Sequence, residues 1–328
     1  MSWSPLVVAV DIGGTKIAAG LVDAEGRLYE QRRTATPADE GGEAIMAAVL
    51  DCARPLRDLG GDRVVACGIA TAGVVDPVGR IAGSTDLLKG WAGTDVRGIA
   101  ERALGLPATV VNDCHAAGTA EARIGAARGA RTGLVVAVGT GIGGALVADG
   151  ATVTGRSGTA GALGHVPAPV VSVTTRAMGA PAPVLAGATV QATVVAGRRC
   201  SCGAFDHVEA HASGPAIERS YREVTGRVLG LREIASLARS GQPQARHVIT
   251  AAASLLGRVL GGAANLLDPD VIVLAGGVSR LGSLLLSPVR RAFRAEALTG
   301  VRGVPIREAV LGESAGLVGA GLSALYAR

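Results

Sequence analysis

Two similar glycine-rich segments carry residue types that suit a phosphate. Residues 7–23 read V-V-A-V-D-I-G-G-T-K-I-A-A-G-L-V-D, and residues 135–150 read V-V-A-V-G-T-G-I-G-G-A-L-V-A-D-G. Each pattern predicts a strand, a tight glycine turn and an antiparallel strand. Glycines let the backbone approach a ligand closely, and backbone N–H groups in such turns bind anions. The residues predicted to bind the phosphates are Gly13, Gly14, Thr15 and Lys16 in the first turn and Gly139, Thr140 and Gly141 in the second.

Acidic residues follow two of the predicted strands. Asp11 comes at the end of the first strand, where it could act on a hydrated Mg²⁺ ion beside a phosphate. Asn112 and Asp113 lie between a strand expected at residues 108–111 and a helix expected to run to residue 127. Such a pair can simply cap the helix, or Asp113 can take a proton from a substrate hydroxyl. Between two phosphate turns, we favour catalysis.

Other phosphate motifs fit less well. The chain contains no G-x-x-x-x-G-K-[ST] sequence. Residues 139–144 match G-x-G-x-x-G, but a dinucleotide site needs a helix directly after it and an acid about 20 residues later. Here a strand follows, and no acid lies between Asp149 and Asp206. A Rossmann site is therefore disfavoured.

A cluster of cysteines and histidines predicts a metal site. Cys200, Cys202 and His207, together with His165, offer two thiolates and two imidazoles, enough for a closed tetrahedral Zn²⁺ site. A C-x-C pair alone is weak evidence because buried free cysteines are common. Its place in a glycine-containing turn favours structural zinc. The odd count of five cysteines argues against a disulfide framework and for a cytoplasmic protein.

The composition predicts a compact α/β protein. The 328 residues allow two domains, and with aromatic residues at only 2% the core must be aliphatic. The formal net charge of +5 is spread along the chain, whereas nucleic-acid binding needs a basic patch and stacking aromatics. No apolar run reaches about 18 residues without breakers, so neither a nucleic acid nor a membrane is expected as a partner.

The remaining pattern predicts two similar lobes that face a shared cleft, because the strand–turn–strand unit recurs. Gly276 and Gly277 follow a predicted strand at residues 271–275 and are expected to open a helix with an anion-binding N-terminus. Residues 166–199 read as a long insertion, either a flexible lid or a small β excursion. Helices are predicted at residues 42–59, 97–104, 216–224, 231–238, 244–267 and 314–326.

The order of these motifs resembles that of ROK-family sugar kinases, over nearly the whole chain apart from the insertion. The resemblance implies an actin/hexokinase-like fold of two α/β lobes, usually dimeric, and transfer of the ATP γ-phosphoryl group to a sugar hydroxyl, generally the primary one. Residues 1–115 would form a small lobe, completed by a C-terminal helix at 314–328. Residues 116–313 would form a large lobe that includes the insertion 166–199 and the Cys/His loop 200–209. The matching motifs are residues 11–16, 112–113, 139–144, 164–165, the cysteine cluster and 275–277.

The resemblance also implies roles for single residues. Gly276 and Gly277 would lie near the adenine, and Asp113 would be the general base. ATP, Mg²⁺ and structural Zn²⁺ would be the cofactors of a cytoplasmic homodimer. The sugar site would be lined by Gly73, Asn112, Asp113, His165 and Glu209.

Two departures from the family pattern are informative. Ala162 stands where the family's glucose kinases usually carry a Glu that binds hydroxyls at the C1/C2 end of the ring. In the loop that usually reads C-x-C-G-x-x-G-C-x-E, Asp206 and His207 replace the second Gly and the third Cys, whereas Glu209 fits. We therefore expect a modified sugar or a C7-cyclitol as substrate. Glucose, a non-catalytic sugar sensor and polyphosphate as the phosphoryl donor are the alternatives.

Overall fold

Two five-stranded sheets with the same arrangement form the framework. The computed structural model describes residues 4–85, 87–169 and 196–327. Its strands are, in chain order, β1 (Leu6–Ile12), β2 (Lys16–Asp23), β3 (Leu28–Ala35), β4 (Val64–Thr71), β5 (Val74–Val75), β6 (Ile81–Gly83), β7 (Ala108–Asn112), β8 (Thr132–Val138), β9 (Ile142–Ala148), β10 (Ala151–Val153), β11 (Val271–Ala275) and β12 (Ile306–Glu308). The first sheet has the order β3-β2-β1-β4-β7 and the second β10-β9-β8-β11-β12, while β5 and β6 pair separately.

The two predicted strand–turn–strand units occupy equivalent places in these sheets. β1 pairs with β2, and β8 with β9, in antiparallel register, so that Val7 faces Val22 and Val135 faces Ala145. On the other side, β1 pairs in parallel with β4, and β8 with β11. Both turns therefore lie at the carboxyl ends of central strands, the edge where α/β sheets bind ligands.

Apart from the short α4, which the sequence did not predict, the helices lie close to their predicted positions, with two differences. They are α1 (Gly42–Gly60), α2 (Val96–Leu104), α3 (Asp113–Arg123), α4 (Glu209–Ala212), α5 (Gly214–Thr225), α6 (Leu231–Arg239), α7 (Pro243–Leu267), α8 (Ser283–Glu296) and α9 (Ala315–Tyr326). The prediction that a helix continues to residue 127 was wrong. α3 ends at Arg123 because the chain turns back there, and the Glu121 carboxylate accepts a hydrogen bond from Ala126 N at 2.7 Å.

The second difference concerns Gly276 and Gly277, which do not begin a helix. A 3₁₀ turn follows at Ser279–Leu281, and α8 starts only at Ser283. Val278 N donates to Val138 O at 2.9 Å, so the glycine pair remains tied to the end of β8. The prediction that this pair opens a helix was wrong, and the two glycines lie instead in a turn beside the second strand–turn–strand unit.

Each sheet has its own aliphatic core, as the composition predicts. Val8, Ile45 and Ile69 belong to the core of the first sheet, and Val136, Leu256 and Ile272 belong to that of the second. Most members of both cores are Ala, Val, Leu and Ile. The cores differ in the elements around them, with α1 and α2 at the first sheet and α5 to α8 at the second.

α9 returns to the first sheet, as expected for the last helix, and also packs on α3. The approach is close: a Cβ at Gly319 would lie 1.8 Å from Ala116 O, so only glycine fits there. The proposed lobe boundary at residues 115 and 116 falls within α3, and the lobe division stays a prediction. Residues 170–195 of the predicted insertion lie outside the described residues.

By length and composition alone, α7 is the one helix in the described part of the chain that could cross a membrane. More than half of its apolar window is buried inside the protein, and core helices of globular proteins pass the same test.

Candidate active site

The first glycine turn is closed by backbone hydrogen bonds. Gly13 N donates to Lys16 O at 3.0 Å, and the Thr36 hydroxyl donates to Gly13 O at 2.7 Å. Gly14 is half-buried, whereas Thr15 and Lys16 are exposed. The residue after β3 therefore stabilises one side of the turn, and Thr15 and Lys16, two of the residues predicted to bind phosphate, are exposed to solvent.

The second glycine turn contacts the start of α5 and the turn that follows β11. Gly139 N donates to Gly141 O at 2.8 Å, and Gly139 O accepts from Gly214 N, the first residue of α5, at 2.9 Å. Gly276 lies directly behind it with a φ of 87°, and a Cβ there would be 2.4 Å from Val138 O. The turn predicted to hold the phosphates and the turn predicted to lie near the adenine are thus neighbours.

Asn112 and Asp113 have separate structural roles at the start of α3. The Asn112 side chain is the N-cap, accepting from Cys114 N at 2.9 Å and from His115 N at 3.3 Å. Asp113 is the first helical residue, and its Oδ1 accepts from Cys114 N at 2.8 Å. Burial raises the pKa of Asp113 above its ordinary value of 3.8, which makes the carboxylate a stronger base.

Asp11 and Asp113 lie near enough to interact, so the predicted magnesium residue and the predicted base share one site. Burial raises the pKa of Asp11 to about 6, the charge of Asp113 adds to this shift, and Lys16 opposes it. A Cβ at Gly316 would lie 2.7 Å from Asp11 Oδ2, so the carboxylate also lies against the first turn of α9. The positive end of that helix dipole suits a carboxylate.

α3 connects this pair of carboxylates to both sheets. The Asn112 amide donates to Gly73 O at 3.0 Å, which brings two predicted sugar residues together. On the opposite side, a Cβ at Gly143 would lie 2.3 Å from Cys114 Sγ, so α3 begins directly against β9. Asp113 therefore lies at the junction of the two strand–turn–strand units.

Glu209 connects the second glycine turn to the cysteine loop. Its Oε2 accepts from Ile142 N at 3.0 Å. Its Oε1 accepts a short hydrogen bond from the Ser201 hydroxyl and lies 3.6 Å from Cys200 Sγ. The sequence placed Glu209 by resemblance only, and Ser201 is a contact that the motifs do not predict.

The four predicted metal ligands come together. One ligand atom from each of His165, Cys200, Cys202 and His207 lies within 4.8 Å of all the others. Cys200 Sγ is 3.5 Å from His165 Nδ1, and Cys202 Sγ is 3.2 Å from His207 Nδ1. Two sulfurs and two imidazole nitrogens at these separations fit a tetrahedral Zn²⁺ ion with bonds of roughly 2.0–2.3 Å.

The replacement of the family's glycine by Asp206 has a structural explanation. Asp206 adopts a left-handed conformation with a φ of 58°, which aspartate tolerates better than most residues. Its side chain accepts hydrogen bonds from Gly197 N and Arg198 N and pairs with His211 at 3.0 Å. These contacts hold the loop in the shape that His207 needs to face Cys202.

His115 is a further residue of the site that the sequence motifs do not predict. Its ring is buried, and Nε2 lies 2.8 Å from Ala160 O. It therefore ties α3 to the segment that carries Ala162 and His165. In the sequence, the one indication was that a histidine stands two residues after Asp113.

A separate apolar pocket of about 830 Å³ lies between α7 and residues 161–169. Ala162 lines it, but Asp11, Asp113 and Glu209 do not. Among the described residues, its charged lining is the ion-paired Arg258 and Glu296, and neither glycine turn contributes to it, so it is not the candidate active site.

Comparisons with known proteins find relatives that match nearly the whole chain. The model of the ROK family matches residues 7–326. A glucokinase of Streptomyces coelicolor is 30% identical over 338 residues, covering 96% of this chain and 96% of that protein. An N-acetylmannosamine kinase of Salmonella heidelberg is 31% identical over 321 residues and 97% of each chain.

A solved structure extends the likeness to the whole fold. The ROK-family glucokinase of Streptomyces griseus, in complex with glucose and AMPPNP, superposes with a TM-score of 0.75 at 32% identity, covering 98% of this chain and 99% of that one. This confirms the predicted two-lobed actin/hexokinase-like α/β fold. With a family match over nearly its full length, the chain belongs to the ROK family.

Proposed function

We propose that the protein is an ATP-dependent sugar kinase that transfers the γ-phosphoryl group to the primary hydroxyl of a hexose-like substrate. The observation that carries this proposal is the pair of interacting carboxylates, Asp11 and Asp113, at the junction of two glycine turns. The two curated relatives are both named as kinases of sugars, which supports the same reaction.

In the proposed reaction, Asp113 accepts the proton of the sugar hydroxyl while that oxygen attacks the γ-phosphorus, and the bond from the γ-phosphorus to the β–γ bridging oxygen breaks to release ADP. Burial raises the pKa of Asp113, and this strengthens the base. The two glycine turns hold the phosphates, with Gly276 and Gly277 near the adenine. Phosphoryl transfer depends mostly on positioning and charge stabilisation, so one carboxylate and a cation can suffice.

Two metals belong to the proposal. Asp11 would hold Mg²⁺, directly or through water, and Mg²⁺ would neutralise charge on the phosphates. His165, Cys200, Cys202 and His207 would hold a structural Zn²⁺. Burial raises the pKa of the Cys200 thiol to about 11, and a metal would instead favour its thiolate. The ion would fix the ring of His165 beside Glu209 and so order the sugar site.

For the substrate, we propose a sugar or C7-cyclitol that differs from glucose at the C1/C2 end of the ring. Ala162 has no group that could accept hydrogen bonds from two hydroxyls, as the Glu of the related glucose kinases would. Each hydrogen bond to a charged group contributes about 1.5–3 kcal/mol, so the loss should be large for glucose. N-acetylmannosamine, the substrate in one relative's name, differs from glucose at C2. Glucose is the alternative, with Glu209 in the place of the missing carboxylate.

A substrate panel with ATP tests both levels of this proposal. Hexoses, amino sugars and cyclitols would be compared by kcat/KM in wild type and in Ala162→Glu. We expect a modified sugar or cyclitol to be the best wild-type substrate, and Ala162→Glu to raise kcat/KM for glucose roughly 10- to 150-fold for each hydrogen bond that the new carboxylate restores.

A wild-type kcat/KM for glucose above that of every other compound would refute the substrate proposal. No phosphorylation of any compound, with either ATP or polyphosphate, would refute the kinase and favour a sugar sensor. We also propose that the protein is a cytoplasmic homodimer with the lobe boundaries predicted from the sequence.

A further inference from the structure

One carboxylate joins cations from both sheets beside the candidate active site. Glu313 Oε2 lies 3.5 Å from Lys16 Nζ, and its Oε1 accepts a hydrogen bond from Arg280 NH2 at 3.2 Å. Lys16 begins β2 in the first sheet, whereas Arg280 follows β11 in the second. All three side chains are more than half exposed, at 54%, 63% and 61% for Lys16, Glu313 and Arg280. The ion pairs are therefore open to solvent and to a ligand.

The two cations lie close in the chain to the first glycine turn and to the turn at Gly276 and Gly277. Lys16 directly follows the first glycine turn, and Arg280 comes three residues after Gly277. Lys16 also acts on Asp11, because its charge opposes the rise in the pKa of that carboxyl. Glu313 lies in the 3₁₀ turn Gly312–Ser314, which leads into α9. The cluster thus lies between the place proposed for the phosphates and the place proposed for the adenine.

We propose that Lys16 and Arg280 form a cation pair that binds the phosphates of the nucleotide, and that Glu313 occupies the pair when no nucleotide is bound. The inference rests on the proposed function and adds Arg280 and Glu313 to its binding site. Carboxylates and phosphates are alternative acceptors for the same lysine and arginine donors. Two cations against one carboxylate leave one positive charge, and the polyanionic phosphates carry more charge than Glu313 does.

If the phosphates replace Glu313 at the cation pair, substitutions of Glu313 and Arg280 should change the nucleotide affinity in opposite directions. Without its charge, Glu313 no longer competes for the cations, so Glu313→Gln should bind nucleotide more tightly. Because exposed ion pairs are weak, the gain should be about two- to fivefold. Arg280→Gln removes a phosphate ligand, and it should weaken binding about five- to twentyfold.

The test is calorimetric titration of the full-length protein with MgAMPPNP and, separately, with adenosine, at low and high salt. At low salt, we expect MgAMPPNP to bind Glu313→Gln more tightly and Arg280→Gln more weakly than wild type. Both differences should disappear at high salt, which screens the charges. The affinity for adenosine should be the same in all variants because adenosine has no phosphate. Arg258→Gln is the matched control, since Arg258 of α7 forms a comparably exposed ion pair at 3.1 Å with Glu296 of α8, and neither residue belongs to a glycine turn.

Three results would overturn the inference: an unchanged MgAMPPNP affinity in Arg280→Gln, weaker binding in Glu313→Gln, or an equal loss for adenosine. Absence of any nucleotide binding by the wild type would overturn it together with the proposed function. If the wild type binds MgAMPPNP but phosphorylates no sugar, the kinase proposal fails alone, because the binding shifts are measured without turnover.

Discussion

Replacing Asp113 by asparagine separates a catalytic carboxylate from a residue that only shapes the start of α3. Asn112 already caps this helix through Cys114 N and His115 N. The amide of Asp113→Asn keeps an oxygen where Oδ1 accepts from Cys114 N at 2.8 Å. The substitution therefore removes the charge and the basicity of residue 113 while the helix keeps its hydrogen bonds.

Asp113→Asn is expected to lower the rate without lowering the stability of the protein. Loss of a general base should lower kcat roughly 10²- to 10⁴-fold. Stability should not fall, because burial and the charge of Asp113 together raise the pKa of Asp11 from 3.8 to about 6. That shift corresponds to about 3 kcal/mol of unfavourable free energy for the charged form, and Asp113→Asn removes the part due to charge. The variant should be at least as stable as wild type.

The pH dependence gives a second measure of the same carboxylate. The raised pKa of Asp113 means that the proton is held above the ordinary value of 3.8, so the base is lost earlier as pH falls. We expect the acidic limb of the wild-type kcat/KM profile to lie above that value. Activity that stays constant down to pH of about 4 would contradict a raised pKa at this site.

The assay combines steady-state rates with the best sugar, MgAMPPNP affinity and thermal unfolding. Asn112→Ala is the matched control, because it should cost about 1 kcal/mol of stability through loss of the cap. Asp113→Asn should keep its nucleotide affinity, and its Tm should be no lower than that of wild type. If it retained more than about a tenth of kcat, or lost stability while Asn112→Ala did not, Asp113 would be the cap and not the base.

Two further predictions concern the metal loop and a buried carboxylate. Elemental analysis should find one zinc per chain in wild type and in His207→Cys. The zinc content should be much lower in His207→Ala, which lacks one ligand. Wild-type protein without zinc would refute the site. Glu121 is fully buried and accepts hydrogen bonds from Ala126, Val310 and Leu311 N. In Glu121→Gln, the amide NH₂ group would lie against one of these N–H donors. Denaturant titration should therefore show a free energy of unfolding that is lower by about 1–3 kcal/mol, and an unchanged value would contradict this.

Several features of this protein follow from residues close together in the chain. The strand–glycine-turn–strand units were predictable because alternating apolar residues and turn glycines act locally. The long helix α7 was predicted over residues 244–267 and spans Pro243–Leu267, since Pro favours the first helical position and Asp268-Pro269 ends the helix. The four possible zinc ligands were also recognisable by type.

Assigning roles within the site required contacts between distant residues. From sequence, Asn112 and Asp113 were equally suited to cap α3. In the structure both accept from Cys114 N, and what distinguishes them is that Asn112 also accepts from His115 N and that Asp113 is already the first residue of the helix. The end of α3 was overestimated because Glu121 turns the chain back through partners at 126, 310 and 311. Apolar periodicity contains no information about such long-range partners.

Local sequence thus determined the strand–turn–strand units, the main helices and the residue types at their ends. Tertiary structure alone decided that Asp11 lies close enough to Asp113 for their charges to interact, that Glu209 accepts from Ile142 N, and that Glu313 joins two cations from different sheets. The physical reason is that backbone conformation depends mainly on near neighbours, whereas electrostatic and hydrogen-bond partners depend on strand register and on how α3 and α9 pack between the sheets.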